Sequence, residues 1–176
     1  MHTLTTEERR NHVKEALQQT DQPVTASHLA EQFSVSRQII VGDIALLRAS
    51  GFQILATPRG YLLDASAKDE EKNLGMIACC HTPEQLREEL YTIVDFGATV
   101  VDVTIEHALY GELSGKLDLS SRYDVDAFMD KVEQEKNCAP ISSLTNGVHL
   151  HRIRYRDDES FKRIKEALRE KHILID

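Results

Sequence analysis

Two short stretches of helically spaced apolar residues meet at Ser34-Val35, with Ser36 placed to open the second of them. The first follows Val24, is capped by Thr25 and turns Leu29, Ala30 and Phe33 inward. The second carries Ile39, Ile40, Ile44 and Leu47 as its buried stripe and stops at Gly51, a residue suited to the left-handed turn that ends a helix. Upstream, Thr5-Thr6-Glu7-Glu8 forms a capping box for a helix that puts Val13, Ala16 and Leu17 on one face. That helix runs to about Thr20, and Asp21-Gln22-Pro23 breaks it. Downstream, Phe52-Gln53-Ile54-Leu55 and Gly60-Tyr61-Leu62-Leu63 read as strands joined by a turn at Thr57-Pro58-Arg59-Gly60.

Three helices, a tight turn between the last two and a small hairpin make a winged helix-turn-helix, expected over residues 1–66. In such a module the second helix of the pair enters the major groove of double-stranded DNA and offers its first turns to base edges. Those positions are Ser36, Arg37 and Gln38, with Val41 one turn on. Arg37 can bond guanine through two hydrogens and Gln38 can do the same with adenine. Arg59 at the wing tip would reach a phosphate or the minor groove. The net charge of −8 argues against this until it is divided. Residues 1–64 carry six Lys and Arg against seven Asp and Glu, a balance of −1, whereas residues 65–176 carry 15 against 22, a balance of −7. A near-neutral module can still bind phosphates locally. The module resembles the one that opens several bacterial repressors, the biotin-ligase repressors among them. The residues that carry the likeness are Thr25–Ala30, Val35–Ile40, Asp43–Arg48 and Gly60-Tyr61. Gly42 departs from the longer polar residue usual there, at about 1 kcal/mol relative to alanine.

Asp64 through Asn73 is small, polar or charged with no apolar period, which sets the domain boundary near Ser66 and leaves residues 67–176 as the second domain. Met76-Ile77-Ala78-Cys79-Cys80 reads as a buried strand delivering His81 at its end. Thr82 and Pro83 open a helix to about Phe96 with Leu86, Leu90, Ile93 and Val94 inward and Gly97 as the stop. Glu89 falls on that apolar side, whereas Glu84, Gln85, Glu88 and Thr92 face water. Thr99–Ile105 alternates as a strand with Val101, Val103, Ile105 and His107 on one parity, and Tyr110–Leu113 begins another. A helix over Val125–Gln134, a strand from Val148 through Tyr155, a helix from Asp158 and a terminal strand Ile173–Ile175 complete an α+β fold, a two-layer sandwich. The three cysteines lack the spacing of a disulfide framework, no apolar run nears the roughly 20 residues that cross a bilayer, and the N-terminus lacks the features of a signal peptide. The expected location is the cytoplasm, with no membrane partner.

Asn146-Gly147-Val148-His149-Leu150-His151 would, as a strand, project both histidines from one face, about 6–7 Å apart. Alone, a His-x-His pair is more often two satisfied surface residues than half a metal site. His81 at a strand end and Glu89 on an inward helix face can reach the same point, and an inward carboxylate is costly unless paired or metal-bound. Three imidazoles and a carboxylate suit a divalent transition metal such as zinc, nickel or iron. On residue chemistry alone, a metal site and a set of separately satisfied polar groups stay equally open.

Cys80–Leu86 with Glu89-Leu90, Val103–Leu113 and Pro140–His151 resemble the three-histidine domain that follows a winged helix-turn-helix in the nicotinate-responsive repressors of NAD biosynthesis and salvage, the NiaR type. With the N-terminal match the likeness spans nearly the whole chain, although Asn146 stands where a glycine is expected. The resemblance implies a transcriptional repressor and not an enzyme. It further implies a metal on His81, Glu89, His149 and His151, nicotinic acid as corepressor, and a homodimer on palindromic operators. On that basis nicotinate is expected near His107 and an arginine, Arg152 or Arg154. Two rivals remain at this stage: a regulator for which the metal itself is the signal, and a metal-dependent enzyme carrying a regulatory helix-turn-helix. Against the enzyme, the chain has no glycine-rich phosphate loop and no nucleophile motif.

Overall fold

Short polar side chains at the helix starts fix where the N-terminal unit begins each turn. In the computed structural model, which describes residues 4–63, 73–135 and 138–176, helix α1 (Thr6–Gln18) opens on the Thr5–Glu8 capping box, Glu8 N donating to Thr5 Oγ1 and Thr5 N to Glu8 Oε2. Thr25 caps α2 (Ala26–Phe33), and Ser36 caps α3 (Arg37–Ala49) by accepting from Ile39 N. Between them Ser34 takes the left-handed conformation at φ 54°, which turns the chain from α2 to α3 in three residues. Val13, Leu17, Leu29, Ile40, Val41, Ile44 and Leu47 close the core of the bundle. The expected stripe on α3 is corrected by one position, since Ile39 is 42% exposed and Val41 is buried. Val41 is therefore packed inside and does not face outward with Ser36, Arg37 and Gln38. Asp43, also buried, accepts two hydrogen bonds from the Arg9 guanidinium, which answers its charge.

Strands β1 (Ile54–Thr57) and β2 (Gly60–Leu63) form the expected hairpin, two residues later on its first arm than read from sequence. Val24 adds a one-residue third strand, exchanging both backbone bonds with Tyr61. Glu106–Glu112 belong to this same unit, where the Tyr61 hydroxyl donates to Glu106 and Arg48 pairs with Glu112 at 2.8 Å.

The second unit is built on a sheet with strand order β3-β6-β4-β5, formed by β3 (Leu74–Cys80), β4 (Thr99–His107), β5 (Gly111–Leu119) and β6 (Val148–Arg154), of which the last two residues of β4 and the first two of β5 group with the first unit. The central strand β6 runs antiparallel to both β3 and β4. Helices α4 (Leu86–Asp95), α5 (Arg122–Gln134) and α6 (Asp158–Glu170) form one layer against it. Their Leu86, Leu90, Ile93, Val125, Met129, Ile164 and Leu168 share a core with Ile77, Cys79, Val100 and Ile153 of the sheet. The chain is thus a helix-turn-helix unit followed by an α+β sandwich.

Several local readings change. A bulge between Val100 and Asp102 shifts the parity of β4, so Val100 and not Val101 packs into the core beside Ile153. Thr92 is buried, because its hydroxyl donates to the Glu88 carbonyl and needs no water. The chain end makes a single bridge from Leu174 to Cys79 where a strand was expected. The domain boundary expected near Ser66 lies outside the described residues. Among the described residues no helix is long and apolar enough to cross a membrane.

Candidate metal centre

Alternation along β6 turns His149, His151 and Ile153 toward the helices, and the antiparallel register sets Cys79 opposite His149 and Ile77 opposite His151. His81 lies two residues beyond Cys79, on the same parity, where β3 ends. The backbone of Gly147 crosses directly above it. A Cβ built there would stand 2.2 Å from the His81 carbonyl oxygen, and its φ is +89°. Only glycine lets the start of β6 approach the end of β3 so closely. From the other layer, the apolar stripe of α4 carries Glu89 down onto the three imidazoles.

All four side chains are buried, with His81 8%, Glu89 0%, His149 2% and His151 1% exposed. His81 Nε2 lies 2.7 Å from Glu89 Oε2, His149 Nε2 3.0 Å from Oε1, and His151 Nε2 3.4 Å from Oε2. Each Nδ1 is held by a backbone carbonyl at 2.7 Å: Thr82 for His81, Gly147 for His149 and Asp102 for His151. A carbonyl can only accept, so each Nδ1 carries a hydrogen. The neutral rings then point three Nε2 lone pairs at a carboxylate that also only accepts. His151 Nε2 has no hydrogen-bond partner at all among the described residues. Such a set is stable only around positive charge, either protons on the rings or a bound cation. The backbone bonds that fix the tautomers are those that ordinarily orient metal-bound imidazoles.

The electrostatics agree. Burial works against ionised His81, but the Glu89 carboxylate outweighs it and raises the ring above its ordinary value; the same balance raises His151. Burial would push Glu89 up, yet His149 and His151 hold it well below the usual carboxylate range. Burial pushes the Cys79 thiol well up. The residues therefore fit a divalent transition metal, which would supply a fixed positive charge in place of exchangeable protons.

The remaining expected residues lie elsewhere. Arg152 and Arg154 project from the face of β6 opposite His149 and His151, and Arg152 donates to the Asp102 carboxylate. His107, in the segment that groups with the N-terminal unit, accepts at Nδ1 from Leu109 and Tyr110 amides and stacks on the Tyr110 ring at 4.9 Å. In that unit Ser36 is spent as the cap of α3, Gln38 and Arg59 are exposed, and Arg37 is exposed with its Nη2 3.7 Å from Glu106 Oε1. Sequence reasoning missed Cys79, whose Sγ, a Glu89 oxygen and a His149 nitrogen all lie within 4.8 Å of one another. The signal was available, since Cys79 shares the parity of His81. It also missed Gly147 as the close-approach position.

Known proteins bear out the two-part architecture. The 3H domain model matches residues 75–176 and an HTH domain model matches residues 9–62. A probable transcription repressor NiaR from Thermotoga maritima is 43% identical over 177 residues, covering 100% of this chain and 99% of its own length. The transcription repressor NadR of Bacillus subtilis is 42% identical over 160 residues, 90% of this chain and 88% of its own length.

Proposed function

The chain belongs to the NiaR-type transcription repressors, an HTH domain followed by a 3H domain, and from that membership we propose that it represses genes of NAD biosynthesis and nicotinate salvage with nicotinic acid as corepressor. It is a DNA-binding regulator and not an enzyme, as its relatives are repressors, and the enzyme rival falls away. The effector reading adds a divalent metal, zinc, nickel or iron, on His81, Glu89, His149 and His151. The observation that carries the metal is the convergence of three imidazole Nε2 atoms, each tautomer fixed by a carbonyl, on one buried carboxylate. The working form is a cytoplasmic homodimer whose two α3 helices, through Ser36, Arg37 and Gln38, read a palindromic operator at half-sites about 34 Å apart, with Arg59 on the backbone. Corepressor binding favours the dimer geometry that matches that spacing.

Arg152 and Arg154 stand across β6 from the histidines. An effector carboxylate gripped by them sits on the opposite face of the sheet from the metal, whereas one that binds beside the metal does not need them. Arg152→Ala and His151→Ala separate the two by which of them abolishes the nicotinate response. The governing test is operator affinity titrated with nicotinate at saturating metal: tightening is expected, and indifference would sink the corepressor role. The closed, fully buried ligand set keeps one second reading in play, in which the metal alone is the signal. In that case chelation releases DNA and nicotinate changes nothing.

A further inference from the structure

We infer that Cys79 is an additional metal ligand, so that the centre is a mixed sulfur, nitrogen and oxygen site that prefers thiophilic ions. This rests on the reading of the histidine–glutamate cluster as a metal centre and adds to it. Cys79 is wholly buried, faces the helix layer, and stands directly across the strand pair from His149. Its Sγ, a Glu89 oxygen and a His149 nitrogen lie within 4.8 Å of one another. Donors on one zinc-sized ion, at about 2.3 Å for sulfur and 2.0–2.2 Å for nitrogen or oxygen, are separated by at most about 4.5 Å. A tetrahedral shell spaces its donors at about 3.5 Å, so binding of the ion draws Sγ together with the Glu89 and His149 donors into the shell. An independent feature of the same point is His151 Nε2, buried without a hydrogen-bond partner and aimed at the same carboxylate.

The bland alternative is a small apolar filler, since Cys79 also belongs to the core with Ile77 and Ile153. Packing explains its burial, but a filler would serve as well on the side of the core away from the cluster of lone pairs that the described residues place on this face. Ligation is a simple exchange: the metal–sulfur bond forms as the S–H proton leaves to solvent, with no change of oxidation state. A thiolate in the shell shifts preference toward zinc, cobalt or nickel and away from magnesium or manganese, which favour oxygen.

The test is titration of the metal-free, reduced full-length chain with Co(II), read by absorption. The expected spectrum has visible ligand-field bands plus a near-ultraviolet sulfur-to-cobalt band. Cys79→Ser should lose the near-ultraviolet band and keep the visible ones, while Cys80→Ser and Cys138→Ser keep both. Visible bands without the sulfur band in the unaltered chain would overturn the role of Cys79 and leave the histidine–glutamate centre standing. Absence of any cobalt spectrum would overturn both. Should Cys79→Ser fail to fold, zinc-edge absorption on the unaltered zinc-loaded chain decides, with a sulfur shell at about 2.3 Å expected and a shell of nitrogen and oxygen alone overturning the assignment.

Discussion

A carboxylate with no exposure, on a helix side whose other buried residues are leucine, isoleucine, valine and one threonine, persists only if its charge is answered, and at Glu89 three imidazoles answer it. That balance has a sign in pH. Glu89 titrates below its unfolded value, so its contribution is present above the ordinary carboxylate range and is lost as pH falls through the lowered value. His81 and His151 titrate above theirs, so their contribution is present below the ordinary histidine value and is lost as pH rises through the raised ones. Metal-free protein should therefore be less stable in urea at alkaline than at mildly acidic pH. Metal affinity should rise over the same interval as protons stop competing. Two glycines give opposite outcomes for one chemical change. Gly147→Ala meets the His81 carbonyl at a positive φ and should destabilise by about 2 kcal/mol or more, with metal affinity falling as His81 is displaced. Gly42→Ala meets nothing within 4 Å inside α3 and should stabilise by about 0.5–1 kcal/mol. Urea midpoints of the two variants, measured side by side, check both signs.

At the scale of elements, helix starts carry much of what is readable from sequence. Ser121 opens α5 by accepting from Asp124 N at 3.2 Å, and Ser121→Ala should lower stability by about 1 kcal/mol while leaving metal binding unchanged. Caps of this kind act over three residues, so Thr5, Thr25 and Ser36 are readable from sequence alone, whereas the helix expected from Thr82 and Pro83 opens as a 3-10 turn over Pro83–Gln85 and becomes α-helical only at Leu86. Inward Glu89 and the His149–His151 parity were also readable, because they follow from the helical and strand periods alone. What escaped depends on partners far away in sequence. The bulge that exchanges Val101 for Val100 is set by the pairing of β4 with β6, and Val24 joins the wing only because Tyr61 is there to bond it. Ile39 and Ile40 are equally apolar neighbours, and only the packing of α3 on the other helices buries the second and exposes the first. Cys79 was read as an apolar strand residue because a buried thiol looks like one until the opposite strand brings His149 to it.

At the scale of the molecule, two units with separate cores make the metal a local stabiliser with a distinguishable signature. The four proposed ligands and Cys79 all belong to the second unit, and the core of the first is closed by its own helices and hairpin. A ligand that binds only the folded form adds RT ln(1 + [L]/Kd), about 2.7 kcal/mol at one hundred times Kd. Loading with zinc should therefore raise the unfolding transition of the second unit by roughly that amount. The transition of the helix-turn-helix unit should be unchanged when a probe confined to it is followed, such as the fluorescence of a dye attached at a cysteine introduced in place of Gln22, with the accessible Cys80 and Cys138 replaced by serine. A shift of equal size in both transitions would show that the two units unfold as one cooperative block. Metal could then influence the DNA-reading helix through stability alone, without a change of conformation.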